Sequence, residues 1–136
     1  MKNKVESTKS NEFKLKSNYR IKLIMQNIQY LKEKKFLLSD FIYEEQPHIV
    51  CLCEHGLKNE EIGQLRIHPE YDIISYFSRK KYKGGGVIIL VHKSIKSIPV
   101  NIERGSEEKV FEYAMCLLPD LKIRMIAIYQ DHQALM

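Results

Sequence analysis

The sequence predicts an α/β fold dominated by β-sheet, with about six or seven strands and two helices. Two apolar runs, residues 21–28 and 48–53, flank a segment with helical spacing of its apolar residues. This order is typical of two strands of one sheet joined by an outer helix. Further β-prone runs fill the second half of the chain. With 136 residues, 44% of them hydrophobic, the chain is long enough for one domain with its own core.

The first strand–helix–strand unit is predicted from three adjacent segments. Residues 21–28 are almost continuously apolar, which predicts a strand buried on both faces. Between residues 32 and 45, apolar side chains recur at helical spacing: Leu37, Leu38, Phe41 and Ile42. Pro47 ends this helix, because the residue before a proline avoids the helical conformation. Residues 48–53 then form the second strand.

The rest of the chain reads as a short helix followed by strands. Asn59 is predicted to cap a helix over residues 60–65. Residues 71–77 and 87–91 are predicted strands, separated by the basic loop 78–83 and by Gly84–Gly86. Later strands are predicted over residues 98–102, 110–118 and 121–129, and the last two form a hairpin around Pro119 and Asp120. In residues 121–129, one face carries alternate side chains: Leu121, Ile123, Met125, Ala127 and Tyr129.

The net charge of +5 lies mostly at the N-terminus. Residues 1–20 hold six basic and two acidic side chains, which leaves +1 for residues 21–136. We expect residues 1–19 to be a disordered basic tail and residues 20–136 to be one domain. Such a tail is either simply solvated or binds a polyanion such as nucleic acid. Because no segment has the roughly 20 apolar residues of a membrane span or the core of a secretory signal, we expect an intracellular protein, nuclear or cytoplasmic.

The three cysteines, Cys51, Cys53 and Cys116, lie within apolar runs. We interpret them as buried thiols of a reducing compartment. The alternative is a zinc site formed by Cys51, Cys53 and His55. Its C-x-C spacing is shorter than the usual spacing of zinc ligands, so the core interpretation is favoured.

Two polar side chains follow neighbouring predicted strands. Asn27 ends the first strand and Glu54 comes directly after the second. Ligands gather at the carboxyl ends of strands in α/β sheets, and Mg²⁺ needs only one or two carboxylates together with a substrate phosphate. Glu54 is therefore a candidate Mg²⁺ ligand, and Asn27 could orient Glu54 or a phosphate oxygen. The alternative is that both residues simply end buried strands.

The order of these segments resembles the endonuclease/exonuclease/phosphatase superfamily, and within it the apurinic-type endonuclease domain of non-LTR retrotransposons. The resemblance spans about residues 21–130 and rests on five motifs in the same order: Gln26-Asn27-Ile28-Gln29, Pro47 through His55, Leu57-Lys58, Arg79 through Gly84-Gly85-Gly86-Val87, and Phe111-Glu112 with the strand ending in Ile128-Tyr129. It implies part of a two-sheet α/β sandwich of the superfamily type.

The resemblance also implies roles for individual residues. Glu54 would be the main Mg²⁺ ligand and Asn27 its companion. Tyr129 would face the scissile phosphate and donate a hydrogen bond to its developing charge. The loop after the third strand would lie near the DNA with its basic side chains: Arg79, Lys80, Lys81 and Lys83. Gly84–Gly86 are interpreted as a place of close backbone packing or a bulge, and not as a phosphate-binding loop. Glu112 is either a supporting polar residue or a solvent-facing strand position.

The sequence also departs from the family pattern. Tyr129 is followed by Gln130-Asp131-His132 where the family has Arg-Pro-Pro, and the later Asp-x-Asn and Ser-Asp-His motifs do not occur. Asp131-His132 directly follows the Tyr129 strand, so it does not correspond to the terminal Asp-His pair. A missing general base costs on the order of 10²–10⁴ in rate, and each missing charge-stabilising donor about 10²–10³.

We therefore expect the N-terminal portion of a Mg²⁺-dependent DNA endonuclease, truncated and inactive as it stands, with weak affinity for DNA. Its uncovered sheet faces would suit a complementing C-terminal fragment or a second copy, and the oligomeric state stays open. The alternative is a non-catalytic nucleic-acid-binding module that uses the tail and the loop 79–83. A phosphatase of the same superfamily is the third interpretation.

Overall fold

The computed structural model describes residues 20–101 and 105–131, which form seven strands, two α-helices and two short 3₁₀ turns. The predicted tail at residues 1–19 and His132 lie outside these ranges. The elements are β1 (Leu23–Asn27), α1 (Lys35–Glu45), β2 (Ile49–Cys53), α2 (Asn59–Gln64), β3 (Tyr71–Phe77), β4 (Val87–His92), β5 (Ile98–Val100), β6 (Glu112–Leu118) and β7 (Ile123–Tyr129). The bounds of β3 coincide with those predicted.

The strands form two sheets. The first has the order β1-β2-β4-β3, in which β1 and β2 are parallel and the other neighbours are antiparallel. The second has the order β5-β6-β7 and is antiparallel throughout. The predicted hairpin of the last two strands is confirmed, with a 3₁₀ turn over Pro119–Leu121 between them. The fold class is thus a two-sheet α/β sandwich, as predicted.

Two apolar cores lie on the two faces of the first sheet. On the outer face, α1 and α2 cover Val50, Leu52, Ile88 and Leu90. On the inner face, a second cluster joins alternate residues of β2 and β4 to Ala114, Cys116 and Ala127 of the other sheet. The alternation predicted for residues 121–129 is confirmed, because all five named side chains belong to this inner cluster or pack against it. One hydrogen bond also crosses between the sheets, from the Met115 N–H to Ser75 Oγ at 3.1 Å.

The prediction that the first strand is buried on both faces is wrong. β1 forms an edge of the described sheet, and Leu23 and Met25 are 40% and 55% exposed. Both side chains lie on the inner face, because Leu23 pairs with Ile49 and Met25 with Cys51 in register. The described strands of the second sheet contact β2, β3 and β4. The strands buried on both faces are instead the central ones, β2 and β4.

The helices differ from the prediction in detail. The first begins as a 3₁₀ turn over Leu31–Lys34 before α1 proper. Of the four apolar residues predicted at helical spacing, only Leu38 and Ile42 are buried. Leu37 and Phe41 lie on the exposed side. The predicted cap Asn59 is the first residue of α2, and Lys58 is the cap. Its backbone N–H donates to Glu61 Oε1 at 2.8 Å, as in a capping box.

The three thiols are buried, as predicted, with Cys51 and Cys116 in the inner core, and none forms a disulfide. Burial, together with the neighbouring Cys116 and Cys53, raises the pKa of Cys51 to about 12. Burial likewise raises the pKa of Cys53 and of Cys116. Among the described helices, none is long and apolar enough to cross a membrane.

Replacing Leu52 by alanine should lower the free energy of unfolding by about 2–5 kcal/mol, because this fully buried side chain fills the core between the first sheet and α1. The matched control is Leu37→Ala on α1, where the side chain is 71% exposed and the loss should stay below about 1 kcal/mol. Urea unfolding followed by circular dichroism measures both. Equal losses would contradict the assignment of the core.

Candidate functional site

Asn27 and Glu54 meet at the carboxyl ends of the parallel strands β1 and β2. Asn27 is the last residue of β1 and pairs with Cys53 in register, so that Glu54 follows immediately beside it. The Asn27 Nδ2 donates a hydrogen bond to Glu54 Oε2 at 2.8 Å. The parallel pairing therefore brings the amide and the carboxylate into direct contact, as the sequence predicts for strand ends of one sheet.

Tyr129 reaches the same carboxylate from the second sheet. It is the last residue of β7, and its hydroxyl donates to Glu54 Oε2 at 2.6 Å. Burial raises the pKa of Tyr129 above its ordinary range, and the hydrogen bond to Glu54 raises it further. The phenol therefore stays protonated near neutral pH and remains a donor. The three residues predicted to be catalytic thus lie together where the two sheets meet.

The backbone of Glu54 is held in an unusual conformation. Its φ is +59°, a left-handed value that costs a residue with a side chain about 1–2 kcal/mol. Two backbone hydrogen bonds fix it: the Glu54 N–H donates to the Gly86 carbonyl at 2.8 Å, and the Glu54 carbonyl accepts from the Tyr30 N–H at 2.8 Å. The carboxylate therefore leaves the strand end in a direction set by the glycine segment and by the turn after β1.

A buried ion pair between Arg79 and Glu112 supports the glycine segment. The Arg79 Nε donates to Glu112 Oε2 at 2.5 Å, and both side chains are almost fully buried. The second carboxylate oxygen accepts the Gly86 N–H at 2.9 Å. Since the Gly86 carbonyl holds Glu54, an unbroken chain of contacts runs from the ion pair to the candidate site. Of the two alternatives for Glu112, the structure shows the supporting polar residue.

Close packing explains the three glycines, as predicted. All three have positive φ values, between +65° and +95°. A Cβ on Gly85 would lie 2.1 Å from Arg79 Nε, and one on Gly86 would lie 2.2 Å from His55 Nε2. The segment thus has room for a guanidinium and an imidazole only because these residues lack side chains.

The basic loop differs from expectation at its first basic residue, Arg79. The sequence predicts Arg79 near DNA on the loop surface, but its guanidinium is buried between the two sheets beside Glu112. It binds Glu112, the Lys83 carbonyl and, at 3.4 Å, Asp131 Oδ2. Lys80, Lys81 and Lys83 are exposed. Sequence reasoning missed the inward role of Arg79. The glycine run was a signal that a large side chain lay close by, although it does not identify which one.

The His55 ring has both nitrogens engaged by backbone groups. Nδ1 accepts the Leu57 N–H at 2.9 Å, and Nε2 lies 2.9 Å from the Phe77 carbonyl. Burial lowers the pKa of His55 to about 4, an effect that the hydrogen bond to Phe77 and the charges of Glu112 and Glu61 oppose. With both nitrogens occupied, this side chain does not fit the zinc site considered as an alternative for the cysteines.

The chemistry of Glu54 fits a hard cation. Both of its side-chain hydrogen bonds come from neutral donors and reach Oε2. Within residues 20–101 and 105–131, no basic side chain forms an ion pair with it, and no three acidic, histidine or cysteine side chains cluster as a metal site. A single carboxylate with one uncommitted oxygen suits Mg²⁺, which keeps several water ligands.

Comparison with known proteins shows the fold. No protein-family model and no curated protein matches the sequence. The chain is similar to the structure of the 3′ phosphatase NExo from Neisseria bound to product DNA hairpin, with 14% identity and a TM-score of 0.54. The match covers 81% of this chain and 41% of that one, so this chain spans about two fifths of its length. A humanized D. rerio TDP2 also matches, with 14% identity, a TM-score of 0.48 and coverage of 82% and 47%.

The similarity to the Neisseria phosphatase confirms the predicted two-sheet α/β sandwich. It agrees with the order of motifs in the sequence, and at this identity it describes architecture alone. The DNA hairpin is a property of that structure. The narrower resemblance to retrotransposon endonucleases stays a prediction.

Replacing Glu112 by glutamine should lower the free energy of unfolding by about 3–5 kcal/mol, because it leaves the buried Arg79 charge with only the longer ion pair to Asp131. Glu45→Gln is the matched control, since Glu45 pairs with Lys22 at the surface and its loss should cost less than about 1 kcal/mol. Urea denaturation of both variants measures the difference. A loss at Glu112 no larger than at Glu45 would show that the ion pair does not support the site.

Alanine at Gly85 should destabilise the fold by about 2 kcal/mol or more, because it combines a left-handed φ with a clash against Arg79. Gly63→Ala serves as the control: Gly63 lies in α2 with open space around it, and alanine there should stabilise the protein by roughly 0.5–1 kcal/mol. Thermal unfolding should shift in opposite directions for the two variants, and a shift in the same direction would contradict the packing described.

Proposed function

We propose that Asn27, Glu54 and Tyr129 form part of a Mg²⁺-dependent site for phosphodiester hydrolysis in DNA, of the retrotransposon endonuclease type. The observation that supports it most is the convergence of two neutral donors on one oxygen of Glu54, which leaves the other oxygen uncommitted. The sequence motifs suggest the same three residues independently. The sandwich architecture, which this chain shares with a 3′ phosphatase bound to a product DNA hairpin, is consistent with this function.

Each residue has a distinct task in this proposal. Glu54 supplies the negative charge that would hold Mg²⁺, and the bound ion would neutralise charge on the phosphate. Asn27 fixes the rotamer of the carboxylate through its hydrogen bond. The hydroxyl of Tyr129, which donates to Glu54 in this structure, could instead donate its hydrogen bond to an oxygen of a bound phosphate. The raised pKa of Tyr129 keeps the hydroxyl protonated, as this hydrogen bond requires.

We further propose that these 136 residues alone hydrolyse DNA slowly or not at all. A general base must come within hydrogen-bonding reach of the attacking water. Among the described histidines, His55 is fully engaged by backbone groups. The other three lie at the opposite end of the first sheet: His48 precedes β2, His92 ends the antiparallel β4, and His68 packs with His92 around Tyr71.

The alternative function is a non-catalytic module that binds nucleic acid through its basic residues. The exposed side chains of Lys80, Lys81 and Lys83 favour it. Such a module would bind DNA with a steep salt dependence and without regard to Mg²⁺. It would also tolerate a change at Glu54.

Replacing Glu54 by glutamine separates these functions. Under the endonuclease proposal, the affinity for Mg²⁺ measured by isothermal titration calorimetry should fall on the order of 10- to 100-fold, because the charged ligand is lost. Glu44→Gln removes the same charge from an exposed position on α1 and should leave the affinity unchanged. Unchanged Mg²⁺ affinity in the Glu54 variant would refute the proposal.

A supercoiled-plasmid assay with Mg²⁺ tests the activity directly. We expect at most slow nicking by the wild type and none by the Glu54 variant. Rapid nicking that disappears with Glu54→Gln would show that the residues described here suffice for catalysis, and would overturn the proposal of slow hydrolysis. Circular dichroism of each protein verifies that it is folded.

A further inference from the structure

Three consecutive backbone N–H groups in the basic loop converge on one carboxylate. The N–H groups of Lys80 and Tyr82 donate to the two oxygens of Glu108 at 2.8 and 2.9 Å. The Lys81 N–H between them lies 3.1 and 3.2 Å from the same two oxygens. Successive backbone donors of this kind form an anion-binding concavity, which recurs in proteins as a phosphate site.

The charge of Glu108 is stabilised in this position. Burial by itself would raise the pKa of Glu108, but the three backbone donors and the nearby Lys58 ammonium hold it below its ordinary value. Lys58 also fixes the loop, because its Nζ donates to the carbonyls of Arg79 and Tyr82 at 3.0 and 2.9 Å. The concavity is therefore built by the loop backbone and its cation, with Glu108 as the bound anion.

A cleft of about 430 Å³ adjoins the concavity. Its lining includes Ser75, Ser78, Lys80, Ser106 and Glu108. Ser78 is only 5% exposed, and its Oγ has no hydrogen-bond partner among the described residues. A buried hydroxyl without a hydrogen-bond partner is unfavourable, so it is a second and independent sign that a polar group of a ligand belongs here.

The surroundings favour an anion. Lys80, Lys81 and Lys109 are exposed beside the concavity. The ammonium groups of Lys81 and Lys109 lie 5.3 and 4.8 Å from the centre of the Tyr82 ring, which keeps two positive charges next to the loop. A phosphate has more acceptor oxygens than a carboxylate, and it could use the three backbone donors together with a serine hydroxyl.

We propose that the concavity over residues 80–82 is a phosphate-binding site, that Glu108 occupies it as an internal substitute, and that a phosphate group displaces this carboxylate and hydrogen-bonds to Ser78 Oγ. The phosphate comes from a nucleic-acid backbone or from a small phosphate. The site uses neither Glu54 nor Mg²⁺, and it shares no residue with the three assigned to hydrolysis. It can therefore exist even if the proposed function fails.

The first test is the binding of a fluorescent single-stranded 20-nucleotide DNA, measured by anisotropy in EDTA so that no Mg²⁺ contributes. Glu108→Ala removes the internal competitor and should tighten binding by roughly tenfold. The slope of log Kd against log salt should steepen by about 0.7, the value for one added phosphate contact. Glu107→Ala removes the same charge from the neighbouring exposed residue and should change Kd by no more than about twofold.

The second test distinguishes the source of the phosphate and does not depend on the DNA. Inorganic phosphate is titrated into ¹⁵N-labelled protein, and the amide signals of Lys80, Lys81 and Tyr82 are followed. These three signals should shift together in the wild type and at lower phosphate concentration in Glu108→Ala. If Glu108→Ala does not fold, the wild-type titration and Ser78→Ala, which should weaken the response, decide the question.

The outcomes are separable. Tighter DNA binding without a response to inorganic phosphate assigns the site to nucleic acid, and the reverse result assigns it to small phosphates. The proposal is overturned if Glu108→Ala binds DNA no better than Glu107→Ala and phosphate leaves the three amides unshifted. Both tests are carried out in EDTA, so neither result depends on the Mg²⁺ affinity of Glu54.

Discussion

The buried ion pair of Arg79 and Glu112 is the interaction on which the candidate site depends. It joins the end of β3 to the start of β6, and therefore one sheet to the other. Removing two charges from water costs several kcal/mol per ion, and the pair is tolerable only when further hydrogen bonds satisfy both groups. Gly86, Lys83 and Lys109 supply these bonds through their backbones. The pair therefore dictates the shape of the glycine segment.

The position of Glu54 follows from that shape. The left-handed backbone conformation of Glu54 is unfavourable by itself. Such backbone strain persists only where contacts with the surrounding structure hold it in place. Here the surroundings are the Gly86 carbonyl and the Tyr30 N–H. Tyr30 also has a left-handed φ, and its ring lies where a Cβ on Gly56 would have to be placed. The main chain of Glu54 is thus fixed by backbone groups, while Asn27 and Tyr129 orient the carboxylate through one of its oxygens.

Much of this architecture could be predicted from the sequence, because β3, the last hairpin and the alternation in β7 are encoded by local patterns. The meeting of Asn27, Glu54 and Tyr129 could be predicted from motif order. The exposure of β1 could not, since it depends on which strands of the other sheet lie opposite. Nor could the inward orientation of Arg79 be predicted, or the binding of Glu108 by the backbone of the basic loop. Their partners lie 33 and about 27 residues away along the chain, and such pairings have no local signature. The charge pattern identifies the loop as basic but does not predict the conformation of its backbone.

The buried thiols have a consequence for how this molecule can be studied. Cys51 belongs to the first sheet and Cys116 to the second, yet both lie in the one core between them. A thiol with a raised pKa is almost entirely protonated at neutral pH, and the thiolate is the reactive form. An alkylating reagent therefore gains access only when the sandwich opens. The rate of alkylation of these native cysteines therefore measures how often the two sheets separate, without an introduced label.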